Sequence, residues 1–307
     1  MNKRYISLLL AVAITPVHAE QYDFEAFAQY QESTTSSRVQ VFGQSAPAAS
    51  IEQTTDTIRL GGTWFFDGLT IAAGPRSQAA FLDRASSISL AYADGSTDTD
   101  VENFNVGSPI IVSDVQQDIR SFDASTRYVW QNTGWFATGQ YSVQDLDVAG
   151  IDFDTTVIGA GFGKYIGERT TLALTALRGE IEVSDGASSN NDVDTGVAIG
   201  AKHLGDLGST WDYAAEVSVS NQSLEGSSGS YGVTLSLFPN RDITLRSQIS
   251  GQLGSSALDA TRYSLSAGWF VIPALEISAE YNWVSVDEDS VNDPDTDGFG
   301  FRARYRF

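Results

Sequence analysis

Apolar and polar residues alternate with a period of two along most of this chain. Tyr22, Phe24, Ala26, Ala28 and Tyr30 alternate with Asp23, Glu25, Phe27 and Gln29. Trp211, Tyr213, Ala215, Val217 and Val219 interleave with Asp212, Ala214, Glu216 and Ser218. Leu275, Ile277, Ala279, Tyr281 and Trp283 do the same with Glu276, Ser278, Glu280 and Asn282. Successive side chains of a strand point to opposite faces, so each stretch predicts a strand with one greasy and one wet face. Fourteen such stretches are readable, near 21–32, 56–66, 86–94, 119–131, 135–146, 153–165, 170–182, 193–203, 211–221, 230–238, 242–253, 260–271, 275–286 and 297–307. They are longer than the usual ~5–6 residues of strands in soluble proteins and match the ~9–11 needed to cross a bilayer.

The connections alternate as well. With residue 20 on the periplasmic side, every second connection should be short. Asn132-Thr133-Gly134, Gly167-Glu168-Arg169, Pro239-Asn240-Arg241 and Ile272-Pro273-Ala274 are short and of turn composition. Those of opposite parity (33–55, 95–118, 183–192, 222–229 and 287–296) are mostly longer, polar and acidic. The expected fold is therefore all-β, a transmembrane antiparallel up-and-down barrel of about 14 strands, with 12 or 16 as alternatives. One connection breaks the rule: residues 67–85 should be a short periplasmic turn but are long enough for a one-turn helix at Gln78–Leu82 or a hidden strand. Arg38–Phe42 also alternates and could extend a hairpin above the membrane.

Composition narrows the reading. Met1-Asn2-Lys3-Arg4, the apolar run Ile6–Ile14 and the small residues around Ala19 have the three-part layout of a secretory signal, assigned to residues 1–19. Residues 20–307 then form one barrel domain. Without Lys3 and Arg4, 16 basic residues face 39 acidic ones, a net charge of −23. Such acidity argues against nucleic acid as a partner and against docking on anionic lipid. The absence of cysteine removes disulfides, thiol catalysis and Cys-ligated metals. Outside the signal no apolar run is long enough for a membrane helix, so a membrane could be crossed only as strands.

The last residues supply the most specific feature. Phe299, Phe301, Ala303, Tyr305 and Phe307 share one face, and Gly300, Arg302, Arg304 and Arg306 the other. An arginine facing lipid near the midplane costs about 2–4 kcal/mol, so the arginines belong to the lumen. The aromatic end, with Phe301, Tyr305 and Phe307, resembles the sorting signal read by the barrel-assembly machinery of outer membranes, although Arg302 stands where that signal usually has glycine. Trp64, Trp130, Trp135, Trp211 and Trp269 fall at periplasmic strand ends and Trp283 near an outer end, as in aromatic girdles.

The stretches Gly61-Gly62-Thr63-Trp64-Phe65-Phe66 and Gly74-Pro75-Arg76-Ser77-Gln78-Ala79-Ala80-Phe81-Leu82-Asp83-Arg84-Ala85-Ser86-Ser87 resemble the general porins of Gram-negative bacteria. They cover a small part of the chain; the rest matches as barrel rhythm. The resemblance implies a single-chain barrel with a water-filled pore and no particular solute.

Enzyme chemistry finds few residues. Outer-membrane barrel enzymes resemble one another in using a catalytic histidine, and beyond the signal only His203 is present, beside a periplasmic turn. A catalytic triad could run only through it, and an interfacial polar role is the simpler reading. No enzyme, cofactor or metal is expected. The acids at Asp94–Asp100 and Asp287–Asp297 lack calcium-loop spacing. They read as solvated loop charge, with cation bridging to lipopolysaccharide as the functional alternative.

Alternation assigns Asp23, Glu25, Arg59, Arg127, Lys202, Glu216, Arg246, Arg262, Glu276, Glu280, Arg302, Arg304 and Arg306 to the interior. Either they line an aqueous pore and set its ion preference, or they pair across strands and stiffen the wall. The two are compatible. The expected function is passive diffusion of ions and small hydrophilic solutes across the bacterial outer membrane, with outer-membrane lipids and lipopolysaccharide as neighbours. The alternative is a structural or adhesive barrel with acidic loops and no open pore. The outer connections 33–55 and 95–118 are long enough to fold inward. Solute, selectivity and homo-oligomerisation stay open at this level.

Overall fold

The computed structural model describes residues 21–39, 49–70, 74–103, 117–148, 151–184, 189–208, 210–222, 228–253, 260–286 and 295–307. The signal assigned to residues 1–19, the tip of the first outer connection and most of the 287–296 acidic run lie outside them.

Fourteen strands close into one antiparallel barrel, each hydrogen-bonded to its sequence neighbours and the last to the first. They are β1 (Gln21–Val39), β2 (Ala49–Thr70), β3 (Ser87–Asn103), β4 (Gln117–Trp130), β5 (Trp135–Val148), β6 (Ile151–Ile166) and β7 (Thr170–Ser184). The second half holds β8 (Ser189–Leu207), β9 (Trp211–Gln222), β10 (Ser228–Asn240), β11 (Ile243–Leu253), β12 (Ala260–Ile272), β13 (Leu275–Val286) and β14 (Asp295–Arg306). Closure leaves no free edge within the membrane, which lipid demands because hydrocarbon cannot satisfy backbone groups. Pairing of β1 with β14 sets Glu25 opposite Arg306 and Gln29 opposite Arg302.

The outer face is greasy and exposed. Leu60, Leu90, Phe162, Leu174, Ile199, Val219, Leu265 and Phe301 all stand out from the wall. In water such a surface would be untenable; in a bilayer it is the matching solvent. The tryptophans lie on this face, Trp135 stacked on Phe162 at 4.8 Å and Trp283 on Tyr263 at 5.2 Å. Positive φ in the turn glycines Gly134 (69°) and Gly167 (68°) closes two tight periplasmic returns, a conformation that favours glycine.

The first three strands run well past the greasy band. β2 has 22 residues, roughly 70 Å at strand rise, against an apolar band of about 25 Å. Their outer halves, such as Ser33–Ser37 and Glu52–Asp56, are polar on both faces, so alternation does not reveal them. Cross-strand hydroxyl pairs, Thr35 with Thr296 (2.9 Å) and Thr55 with Thr97 (2.8 Å), continue the ladder there.

The long connection between β2 and β3 holds a 3-10 turn, η1 (Arg76–Gln78), running into a one-turn helix, α1 (Ala79–Leu82). No hidden strand is found among its described residues. The outer connections 33–55 and 95–118 read as long enough to fold inward, and their tips lie outside the described residues. Among the described residues it is this periplasmic connection that turns into the bore.

Candidate functional site

Residues 74–86 form a plug across the periplasmic end of the lumen. Phe81 sits in a buried apolar cluster with Val129, Phe136, Tyr165, Leu204, Ala214 and Phe238, drawn from β4 to β6 and β8 to β10. Ala79 and Ala85 pack with Tyr22, Phe65 and Leu69 of β1 and β2. On the remaining side the plug is held by polar bonds. The Arg76 backbone N–H donates to the Arg241 carbonyl at 2.9 Å, its guanidinium pairs with Asp242, and Ser77 shares a hydrogen bond with Thr244 at 2.9 Å. Arg306 Nη2 donates to the Arg76 carbonyl at 3.0 Å. The plug thus touches the wall on every side of the bore.

The plug's own geometry is tightly determined. The Asp83 N–H donates to Ala79 O and the Ala85 N–H to Ala80 O, which ends α1 in a Schellman-type turn. Arg84 takes the left-handed position usually given to glycine (φ 51°). Its Nη2 donates to Gly167 O at 2.8 Å and its guanidinium lies 4.9 Å from the Tyr165 ring. These contacts offset a strain of about 1–3 kcal/mol. Tyr165 is the hub: its hydroxyl accepts from Arg127 Nη2 and donates to the Phe81 carbonyl, both at 3.0 Å.

The charged residues assigned to the interior fall into three groups. Several are paired across strands. Arg59 reaches over the small Ala91 and Ala93 of β3 to Asp123 at 2.7 Å. Lys202 meets Glu216 at 2.7 Å with its ammonium 4.9 Å from the Phe81 ring. Glu25 receives Arg306 at 2.7 Å and approaches Arg304 at 3.9 Å, and Arg304 lies 3.4 Å from Glu276. Arg127, over the Phe136 ring at 4.2 Å, serves the plug's seat.

A second group is unpaired. Among the described residues Arg246, Arg262, Arg302 and Glu280 have no opposite charge within ion-pair distance. Arg246 reaches only Ser236, at 3.4 Å. Arg302 lies 4.2 Å over the Phe27 ring. Third, Asp23 stands apart. A bulge between Tyr22 and Phe24 turns Tyr22 into the bore, under the Arg306 guanidinium, and leaves Asp23 exposed at the rim.

Phe301 is 56% exposed on the outer face, and Phe307 covers Tyr305 at 4.8 Å between rings. His203 shares a hydrogen bond with Thr170 at 2.8 Å on the outer side of the wall.

Asp123, Arg76, Ser77, Phe81 and Asp242 were not among the sequence-derived interior residues. A signal existed for the plug's seat: Phe65, Val129, Phe136, Tyr165, Leu204, Phe238 and Phe270 are apolar on what should be the wet face, all near periplasmic strand ends.

Comparison with solved structures returns bacterial outer-membrane barrels. The Acinetobacter baumannii outer membrane protein Omp33 superposes with a TM-score of 0.54 at 17% identity, over 94% of this chain and 99% of that one. The P. putida toluene transporter TodX gives 0.56 at 9% identity, over 93% and 90%. Its ΔS2S3 mutant, described as a monoaromatic hydrocarbon channel, gives 0.61 at 9% identity, over 93% and 91%. No protein-family model and no curated protein matches the chain. The chain has the fold of these proteins, a closed antiparallel β-barrel of fourteen strands. Its greasy exterior and closed strand order are those of a barrel that crosses a membrane.

Proposed function

We propose that this barrel is a channel for passive diffusion of ions and small hydrophilic solutes, closed at rest on the periplasmic side by residues 74–86. The unpaired wall charges Arg246, Arg262, Arg302 and Glu280 carry this reading. A wall built only for rigidity would pair its charges, whereas water in a lumen solvates unpaired ones at little cost. Channel function among solved barrels of this fold agrees with the class. The named hydrocarbon cargo of TodX does not suit a wall this charged. The plug favours the second reading, a structural barrel without an open pore, because its apolar side is packed like a protein core.

Planar-bilayer recording of the refolded protein separates the two. The full chain is compared with a variant in which residues 74–85 are replaced by a short Asn-Gly turn. Brief or rare openings of the full chain and steady, larger steps of the variant are expected. Silence from both, with each inserted and still heat-modifiable in gel mobility, overturns the channel.

A further inference from the structure

Above the plug, the inner wall of β11 to β14 is paved with small residues. Thr244, Gly268 and Ser278 follow one another across the register, and one level up Ser266 and Gly300 flank Glu280. They leave a polar cavity of about 130 Å³. Pockets that take drug-sized ligands hold about 300–1,000 Å³, so the occupant is a small solute. Ser77 of the plug forms part of its lining.

Three of the unpaired charges converge on this cavity: Arg246, Glu280 and Arg302. Their order is fixed by register. Arg246 lies opposite Ser266, Ser266 opposite Glu280, and Glu280 opposite Gly300, two residues from Arg302. The wall therefore presents positive, negative and positive charge in sequence. Arg302 is oriented by stacking on Phe27 rather than by an acid, and its Nε is buried without a hydrogen-bond partner. Neighbouring Arg304 and Glu276 neutralise each other and do not compete.

The complement of that order is negative, positive, negative. An acidic α-amino acid has this sequence, with its ammonium between the α-carboxylate and the side-chain carboxylate. Guanidinium forks match planar carboxylates in bidentate geometry. A phosphate concentrates its charge at one point and would face Glu280 unfavourably. We propose that this niche binds an acidic α-amino acid, its carboxylates on Arg246 and Arg302 and its ammonium against Glu280. The inference rests on the channel reading for its purpose, naming a solute class, though binding itself requires no current.

Calorimetric titration of the detergent-folded barrel with L-glutamate, succinate and L-lysine tests it. Glutamate is expected to bind more tightly than succinate, and lysine not to bind. Arg246→Gln and Arg302→Gln should each weaken glutamate about tenfold or more. Glu280→Gln should remove the preference for glutamate over succinate. Arg120→Gln, which makes the same charge change on the outer wall beside Asp94, should bind like the parent chain. Retained heat-modifiable mobility verifies each fold. No binding of glutamate, equal binding of glutamate and succinate by the parent chain, or equal effects of Arg120→Gln and Arg302→Gln overturns the site. Glutamate binding by a barrel silent in the bilayer would overturn the channel and leave the site. Conductance without glutamate binding would do the reverse.

Discussion

Glu25 holds the periplasmic end of the terminal strand through two arginines. Arg306 is 2% exposed, stacked between Tyr22 and Phe270, and its only carboxylate among the described residues is Glu25. Removing one partner of a buried pair leaves an uncompensated charge and costs about 3–5 kcal/mol. Glu25→Gln is therefore expected to lower stability in urea unfolding of the refolded barrel by that order, and Glu25→Met with Arg306→Met by less. A loss below about 1 kcal/mol for Glu25→Gln would mean that Arg306 is satisfied without it. Gly163 is a second such position. A Cβ there would press on the Phe136 ring and lie 2.5 Å from the Leu172 carbonyl oxygen. Gly163→Ala is expected to cost about 1–3 kcal/mol and, because Phe136 seats Phe81, to loosen the plug. Unfolding and conductance should change together.

At the scale of elements, the plug and the strands answer to different forces. The strands are held by ladders that lipid makes obligatory. The plug is a few residues held by one aromatic ring, two apolar contacts and a polar latch. Phe81→Ala removes about 3–5 kcal/mol of packing from the plugged state, while the ladder bonds of the wall stay intact. The expected result is a rise in open probability in bilayer recordings with no change in heat-modifiable mobility. An unchanged open probability would show that the polar latch of Arg76 and Asp242 suffices. The plug was partly legible. A connection too long for its parity, with helix-forming residues at Gln78–Leu82, marked the place. Its direction was not legible, because the contacts that draw it inward come from nine other strands.

For the whole molecule, alternation divides every strand between lipid and lumen, and the division can be tested with adjacent residues. Leu174 stands out from the wall at 53% exposure and Thr175 faces inward. Leu174→Arg is expected to destabilise the barrel by about 2–4 kcal/mol in detergent-to-lipid refolding equilibria. Thr175→Arg should fall near zero, since the lumen is wet. Equal costs would place both residues in one environment and contradict the assigned faces.

A count of about fourteen strands, their antiparallel order and the identity of the lipid face follow from the sequence alone, because a bilayer imposes one rule on every strand and the rule is local; closure fixes the count at fourteen. The outer halves of β1 to β3 escape that rule: beyond the membrane no apolar face is needed, and only cross-strand hydroxyl pairs define them. Which arginines are paired depended on closure. Arg306 meets Glu25 across 281 positions of chain, and Arg59 reaches Asp123 only because β3 carries alanines between them. The bulge that turned Tyr22 inward and left Asp23 at the rim belongs to the same class. Side-chain type and period are properties of neighbours in sequence, whereas pairing, plugging and the unpaired charges of the lumen are properties of a circle that exists only once β14 has met β1.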